Sequence, residues 1–266
     1  MHGQNQVKYT NKLHGARVLV IGGSSGLGFA VAEASLEYGA LVAISSSNES
    51  RIQDAIQRLH DAYPTSKGKV YGVTADLSNL DTLEQELERI LKTSKENLGG
   101  ELDHVIYTAA DPLAQISLND LSAKAIVQAG TLRFTAPLLI AKHLPSYMVP
   151  SFKSSYTITT GAISEKPAPN WSIIASYAGG HHAMVRNLAL DLKPIRVNGV
   201  SPGVVDTGLW RMGEQEKEEF FKACREKLMT GRVPGAEDVA ESFLGCMRDW
   251  NMDAGIIRTD GGSLFM

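Results

Sequence analysis

The sequence predicts a single α/β domain built on a parallel sheet with helices on both faces. Short β-branched apolar runs recur along the chain, each followed by a stretch of helical apolar spacing. The first run ends in a glycine turn that opens a helix. At 266 residues and 43% hydrophobic content, the chain is long enough to bury one large core. No repeat, low-complexity tract or linker divides it.

Residues 18–21 (Val-Leu-Val-Ile) read as a strand buried on both faces, because nothing polar alternates with the apolar residues. Gly22, Gly26 and Gly28 punctuate the turn that follows, and helical spacing begins at Phe29. A strand, a glycine turn and a helix start gather free backbone N–H groups at the positive end of a helix dipole. That arrangement suits the diphosphate of a dinucleotide. Further strands are expected at 40–45, 70–74, 105–108, 156–160, 195–200 and 255–257. Helices are expected at 52–59, 80–91, 173–192 and 237–247, with a long one at 125–144 bent near Pro137. Residues 206–230 interrupt the rhythm with a charged helical insertion. It follows the sixth strand's C-terminal end, where such sheets bind ligands, so a substrate lid is expected there. Residues 1–14 read as an N-terminal extension and 15–266 as the domain.

A net charge of −3 without a long basic run gives no electrostatic reason for a nucleic-acid partner. Cys224 and Cys246 make neither a disulfide framework nor a metal-ligand pattern, so no metal is expected. The polar first residues lack a signal-peptide core, and no apolar run approaches the ~18 residues of a membrane span. A cytoplasmic protein without a membrane partner is the expectation.

With these landmarks in place, the chain resembles the short-chain dehydrogenase/reductase family over nearly its whole length. The matching pieces are the Gly22/Gly26/Gly28 loop, Ala75-Asp76-Leu77, and Tyr107-Thr108-Ala109-Ala110. Arg196 to Gly203, Thr207, Gly231-Arg232 and Asp260-Gly261-Gly262 complete them. The resemblance implies a Rossmann fold with about seven strands, a nicotinamide cofactor and a homodimer or homotetramer. Carried over by position, Gly22, Ser24, Ser25, Gly26 and Leu27 would surround the diphosphate. Asp76 and Leu77 would hold the adenine, and Ala109 and Ala110 the adenosine ribose. Pro202, Gly203, Val205 and Thr207 would meet the nicotinamide end. At the end of the second strand, Ser46, Ser47 and Asn48, with Arg51 one turn on, replace the acid that would hold a ribose 2′-hydroxyl. Donors in place of a carboxylate favour a 2′-phosphate, hence NADP(H). The same serines also suit a helix cap.

The family's acid is a Tyr, found here as Tyr177, with a Lys four residues later to lower the phenol's pKa. In this chain that Lys is His181, and the Asn expected in the long fourth helix falls near Leu132 or Arg133. The serine that orients the substrate is ambiguous. Counting back from Tyr177 gives Ser164, whereas aligning the fifth strand gives Thr160 or Gly161. His181 can serve as a donor to the ribose, a proton relay or a spacer; His182 reads as structural. Arg133 sits among apolar neighbours, so it needs a partner, as a salt bridge or as a group aimed at the substrate. Arg in that helix without Lys after Tyr resembles a divergent fungal group from secondary-metabolite pathways. That resemblance implies an NADPH-dependent reductase of a C=O or C=N group in an apolar small molecule. A non-redox cyclase or isomerase that uses bound NADP as scaffold is the alternative, and a catalytically silent NADP-binding regulator the third. Trp171, Trp210, Met212 and Phe220 are candidates for the apolar pocket.

Overall fold

The computed structural model describes residues 7–266, and the first six residues of the expected N-terminal extension lie outside it. Seven parallel strands form one sheet: β1 (Arg17–Ile21), β2 (Leu41–Ser46), β3 (Val70–Thr74), β4 (His104–Tyr107), β5 (Ser155–Thr159), β6 (Arg196–Pro202) and β7 (Ile256–Thr259). Their spatial order is β3-β2-β1-β4-β5-β6-β7. The direction of winding reverses between β1 and β4, where the register pairs Ile21 with Tyr107. A crevice at the carboxyl ends of the strands opens at that reversal.

The described residues form eight α-helices, α1 (Gly26–Glu37), α2 (Glu49–Ala62), α3 (Leu80–Asn97), α4 (Ala123–Gly130), α5 (Ala136–Tyr147), α6 (Ser172–Asp191), α7 (Glu214–Arg225) and α8 (Ala236–Arg248), of which α1, α2, α3, α5, α6 and α8 cover the sheet. Two apolar clusters lie on opposite faces. One joins β1 and β2 to α1, α2 and α8 through Val31, Ile44, Leu59 and Phe243. The other joins the sheet to α3, α5 and α6 through Leu83, Leu87, Ile140 and Val185. Each fully buried side chain of this kind contributes about 1.5–3 kcal/mol. Residues 18–21 are indeed buried on both faces, at 0–1% exposure.

Most expected elements occur with ends shifted by a few residues. The long fourth helix is different. It is interrupted at Thr131–Thr135 by a π-helical turn, and Pro137 lies in the first turn of α5. The backbone stays helical through Thr135 and Ala136 into α5, so Pro137, which has no N–H to give, directly follows the widened turn. Carbonyls near that turn find partners elsewhere: Tyr107 Oη–H donates to Leu132 O at 2.7 Å, and His181 Nε2–H donates to Arg133 O at 2.5 Å. The charged insertion contains α7, and Lys217 Nζ meets Asp206 at 2.5 Å. No helix among the described residues is long and apolar enough to cross a membrane.

Candidate active site

A continuous cavity of about 1340 Å³ runs along the carboxyl ends of the strands. At one end it is bounded by the turn from β1 into α1. Gly22 has φ +90°, and a Cβ there would lie 2.6 Å from Ala109 N, so only glycine lets the first and fourth strand ends approach this closely. A Cβ on Gly28 would run into Gly22 O and Thr108 Oγ1. Above Gly26 (φ +53°) the space is open, with Thr207 Cβ at 3.6 Å the nearest atom a Cβ would meet. Ser25 supplies no side-chain cap to α1, which leaves first-turn N–H groups for an anion. This cradle fits a dinucleotide diphosphate.

Ser24, Ser25, Leu27, Ser46, Ser47, Arg51, Asp76, Leu77, Ala109, Ala110, Pro202, Gly203 and Thr207 all line the cavity. Arg51 Nη2–H donates to Ser47 Oγ at 3.3 Å, which places the guanidinium beside the end of β2. The Ser78 backbone N–H donates to Asp76 Oδ1 at 2.9 Å and holds that carboxyl below the usual range, so it stays ionised. Two expected contacts fall away. Asn48 is spent capping α2, where its Oδ1 accepts from Arg51 N at 3.0 Å. Val205 is buried at 4% exposure in the core beside α8, and Val204 takes its place on the cavity wall.

Tyr177, His181, Arg133 and Thr160 converge on the middle of the cavity. The Tyr177 hydroxyl donates to Ile126 O at 2.8 Å, and Gly130 makes room for it, since a Cβ at that position would collide with the phenol. Phe134 packs on both rings, 5.4 Å from Tyr177 and 5.9 Å from His181 between centroids. His181 is 4% exposed. A carbonyl only accepts, so its Nε2 carries the hydrogen given to Arg133 O, and Nδ1 holds the lone pair. Nδ1 is buried without a partner among the described residues. Burial pushes the imidazole below its ordinary pKa, against an opposing pull from the Arg133 carbonyl, so it is neutral at pH 7. Arg133 is clamped: Nε–H donates to Asp111 Oδ1 at 2.9 Å, and Nη2–H to the Asp111 carbonyl.

Ser164 does not face the cavity. Its hydroxyl donates to Gly161 O at 2.8 Å, and its oxygen lies 3.1 Å from His182 Nε2, because a short helical turn at Ala162–Ser164 rotates it outward. Thr160 does line the cavity, with its hydroxyl donating to Ala178 O at 2.9 Å. His182 therefore pairs with Ser164, away from the cavity. Two residues were missed in the sequence. Asp111 follows Ala110 at the end of β4, and the need of Arg133 for an acid was the signal that points to it. Lys166 lies in the loop before α6, where its ammonium donates to Ser263 O and to Met266 O at 2.9 Å. The far end of the cavity is apolar, with Trp171, Trp210, Met212 and Phe220 on its walls. Trp210 and Phe220 stand 4.8 Å apart, and Trp210 Nε1–H donates to Val205 O at 2.8 Å.

Comparison with known proteins agrees with this geometry. A family model described as an SDR-like Rossmann domain matches residues 9–266. The chain is 42% identical over 260 residues to short-chain dehydrogenase/reductase fsr5 of Gibberella fujikuroi, covering 97% of each. It is 40% identical over 257 residues to short-chain dehydrogenase/reductase malC of Malbranchea aurantiaca, covering 95% of this chain and 96% of that one. The solved structure of the MalC reductase/Diels-Alderase from Malbranchea aurantiaca matches with TM-score 0.92 at 38% identity, over 97% of this chain and 100% of that chain. On the family match, on this sheet order and on these relatives, the chain belongs to the short-chain dehydrogenase/reductase family.

Proposed function

We propose that this protein is an NADPH-dependent reductase of a C=O or C=N group in an apolar small molecule of fungal secondary metabolism. The supporting observation is the single cavity that joins the glycine cradle, the Tyr177–His181–Arg133 cluster and an apolar end. Gly22, Ser24, Ser25, Gly26 and Leu27 would hold the diphosphate; Ser46, Ser47 and Arg51 would hold the 2′-phosphate. Asp76 would accept from the adenine amine, and Pro202, Gly203 and Thr207 would border the nicotinamide. When bound, the reduced nicotinamide supplies a hydride to the acceptor carbon. Tyr177 releases Ile126 O and gives its proton to the acceptor oxygen or nitrogen. Arg133, held by Asp111 through Nε and Nη2, keeps Nη1 for the negative charge that develops there. Thr160 stands where a hydroxyl can orient the acceptor.

With His181 neutral, Tyr177 has no ammonium four residues on in α6, and its part in the reaction is to hand the proton now given to Ile126 O to the reduced acceptor. Residues 206–230 serve as the lid over the substrate end. Ile126, Val127 and Leu138 on α4 and α5, and Leu190 on α6, are exposed apolar side chains that suit packing against a second copy.

The test is NADPH oxidation with a panel of apolar ketones and cyclic imines. Turnover is expected with at least one, falling about 100-fold or more in Tyr177→Phe. Undiminished turnover in that variant contradicts the assigned acid. One observation favours a second reading, a cyclase: the Tyr177 proton is engaged by a helix carbonyl, and the similar MalC protein is described as a reductase/Diels-Alderase. Product formed from a cyclisation precursor without NADPH loss would select it.

A further inference from the structure

We infer that the substrate of this cavity carries an acidic group, recognised at the mouth by Arg211 and Lys227. The inference rests on reading the apolar end as the substrate site, and it follows from how charges are sorted around that end. Residues 206–230 contain six acids, and all six lie off the cavity wall. Two of that segment's basic residues, Arg211 and Lys227, lie on it. The acids are outside or already paired: Glu218 meets Arg225 and Asp206 meets Lys217, both at 2.5 Å.

Lys166 also lines the cavity, but its ammonium is already held by Ser263 O and by an oxygen of the last residue, Met266, at 2.9 Å, so it is not counted with these two. The segment that carries Lys227 packs on the 261–263 turn: a Cβ on Gly261 would lie 3.1 Å from Leu228 Cδ2. Nearby carboxylates are committed elsewhere. Asp260 accepts from Gly262 N and Ser263 Oγ, Glu165 faces Arg258 at 3.8 Å, and Asp111 belongs to Arg133.

A pocket with aromatic walls and two exposed cations at its mouth selects an amphipathic anion: an apolar body with a carboxylate or comparably acidic oxygen at one end. Such a charge also sets the direction of entry, with the apolar end leading toward Tyr177.

Paired fluorescent probes test this. Anilinonaphthalene sulfonate and phenylnaphthylamine share an aromatic body and differ by the sulfonate. Both are titrated into protein saturated with NADP+, whose binding is followed separately by calorimetry, so that loss of cofactor binding counts against the cofactor reading alone. The sulfonate is expected to bind about fivefold more tightly at low salt, with the margin collapsing at high salt. Arg211→Gln/Lys227→Gln should erase the margin while leaving the uncharged probe unaffected. Lys217→Met, which removes a cation outside the cavity, should retain it. Equal binding of the two probes by the unmodified protein, or a margin that survives in the double variant, overturns the inference.

Discussion

Cofactor choice offers a sharp perturbation, Ser46→Asp. Ser46 is half-buried at the C-terminal end of β2, and Arg51 reaches over the same edge to Ser47 Oγ at 3.3 Å. A 2′-phosphate seated there carries a charge of about −1.5 to −2 at pH 7. A new carboxylate ~5 Å away repels it by ~1.5 kcal/mol in a fully aqueous dielectric, and by more where the site is shielded. Arg51 would also turn toward the new acid, which weakens its own phosphate contact by ~1 kcal/mol. Together these predict an NADP+ affinity about 50-fold lower, since each ~1.4 kcal/mol is a factor of ten. NAD+ gains an acceptor for its 2′-hydroxyl and should bind no worse. Calorimetric titration of both cofactors reads the ratio directly. An NADP+/NAD+ ratio that shifts by less than about threefold would refute the placement of the phosphate.

Further predictions concern the frame that carries the site. Gly28→Ala drives a methyl into Gly22 O and Thr108 Oγ1, and should cost about 1–3 kcal/mol in denaturant unfolding while weakening NADP+ binding. Arg196, 3% exposed, donates to the carbonyls of Phe152, Lys153, Cys246, Met247 and Met252; Arg196→Met orphans them and should cost about 3 kcal/mol or more. Burial holds His104 at a pKa of about 3, with the Arg196 charge adding to the effect. The folded value lies below the unfolded one, so its contribution is complete above about pH 6.5 and declines as pH falls toward the folded pKa. A loss of about 2 kcal/mol is expected at about pH 5, and His104→Gln should flatten that part of the stability profile.

The sheet was legible because parallel strands buried on both faces must be apolar runs, and residues 18–21 announce themselves that way. The cradle was legible because close backbone approach excludes side chains at Gly22 and Gly28. The π-turn at Thr131–Thr135 was not. Helical spacing over 125–144 looks the same with or without it, and it is supported by Tyr107 and His181, which are distant in sequence. Pro137 marked the neighbourhood, two residues beyond the widened turn, without revealing its kind. Ser164 was misplaced by counting residues through a loop whose helical turn at Ala162–Ser164 changes the facing of each side chain. Asp111 stayed hidden because ion pairing between a strand end and a helix, 22 residues apart, leaves no periodic trace.

Calorimetric titration of the purified chain with NADPH tests the central claim most directly. A cofactor across the first turn predicts saturable binding of one molecule per chain, displaced by NADP+ and largely lost in Gly28→Ala. An absence of binding heat, or binding indifferent to that substitution, would contradict it.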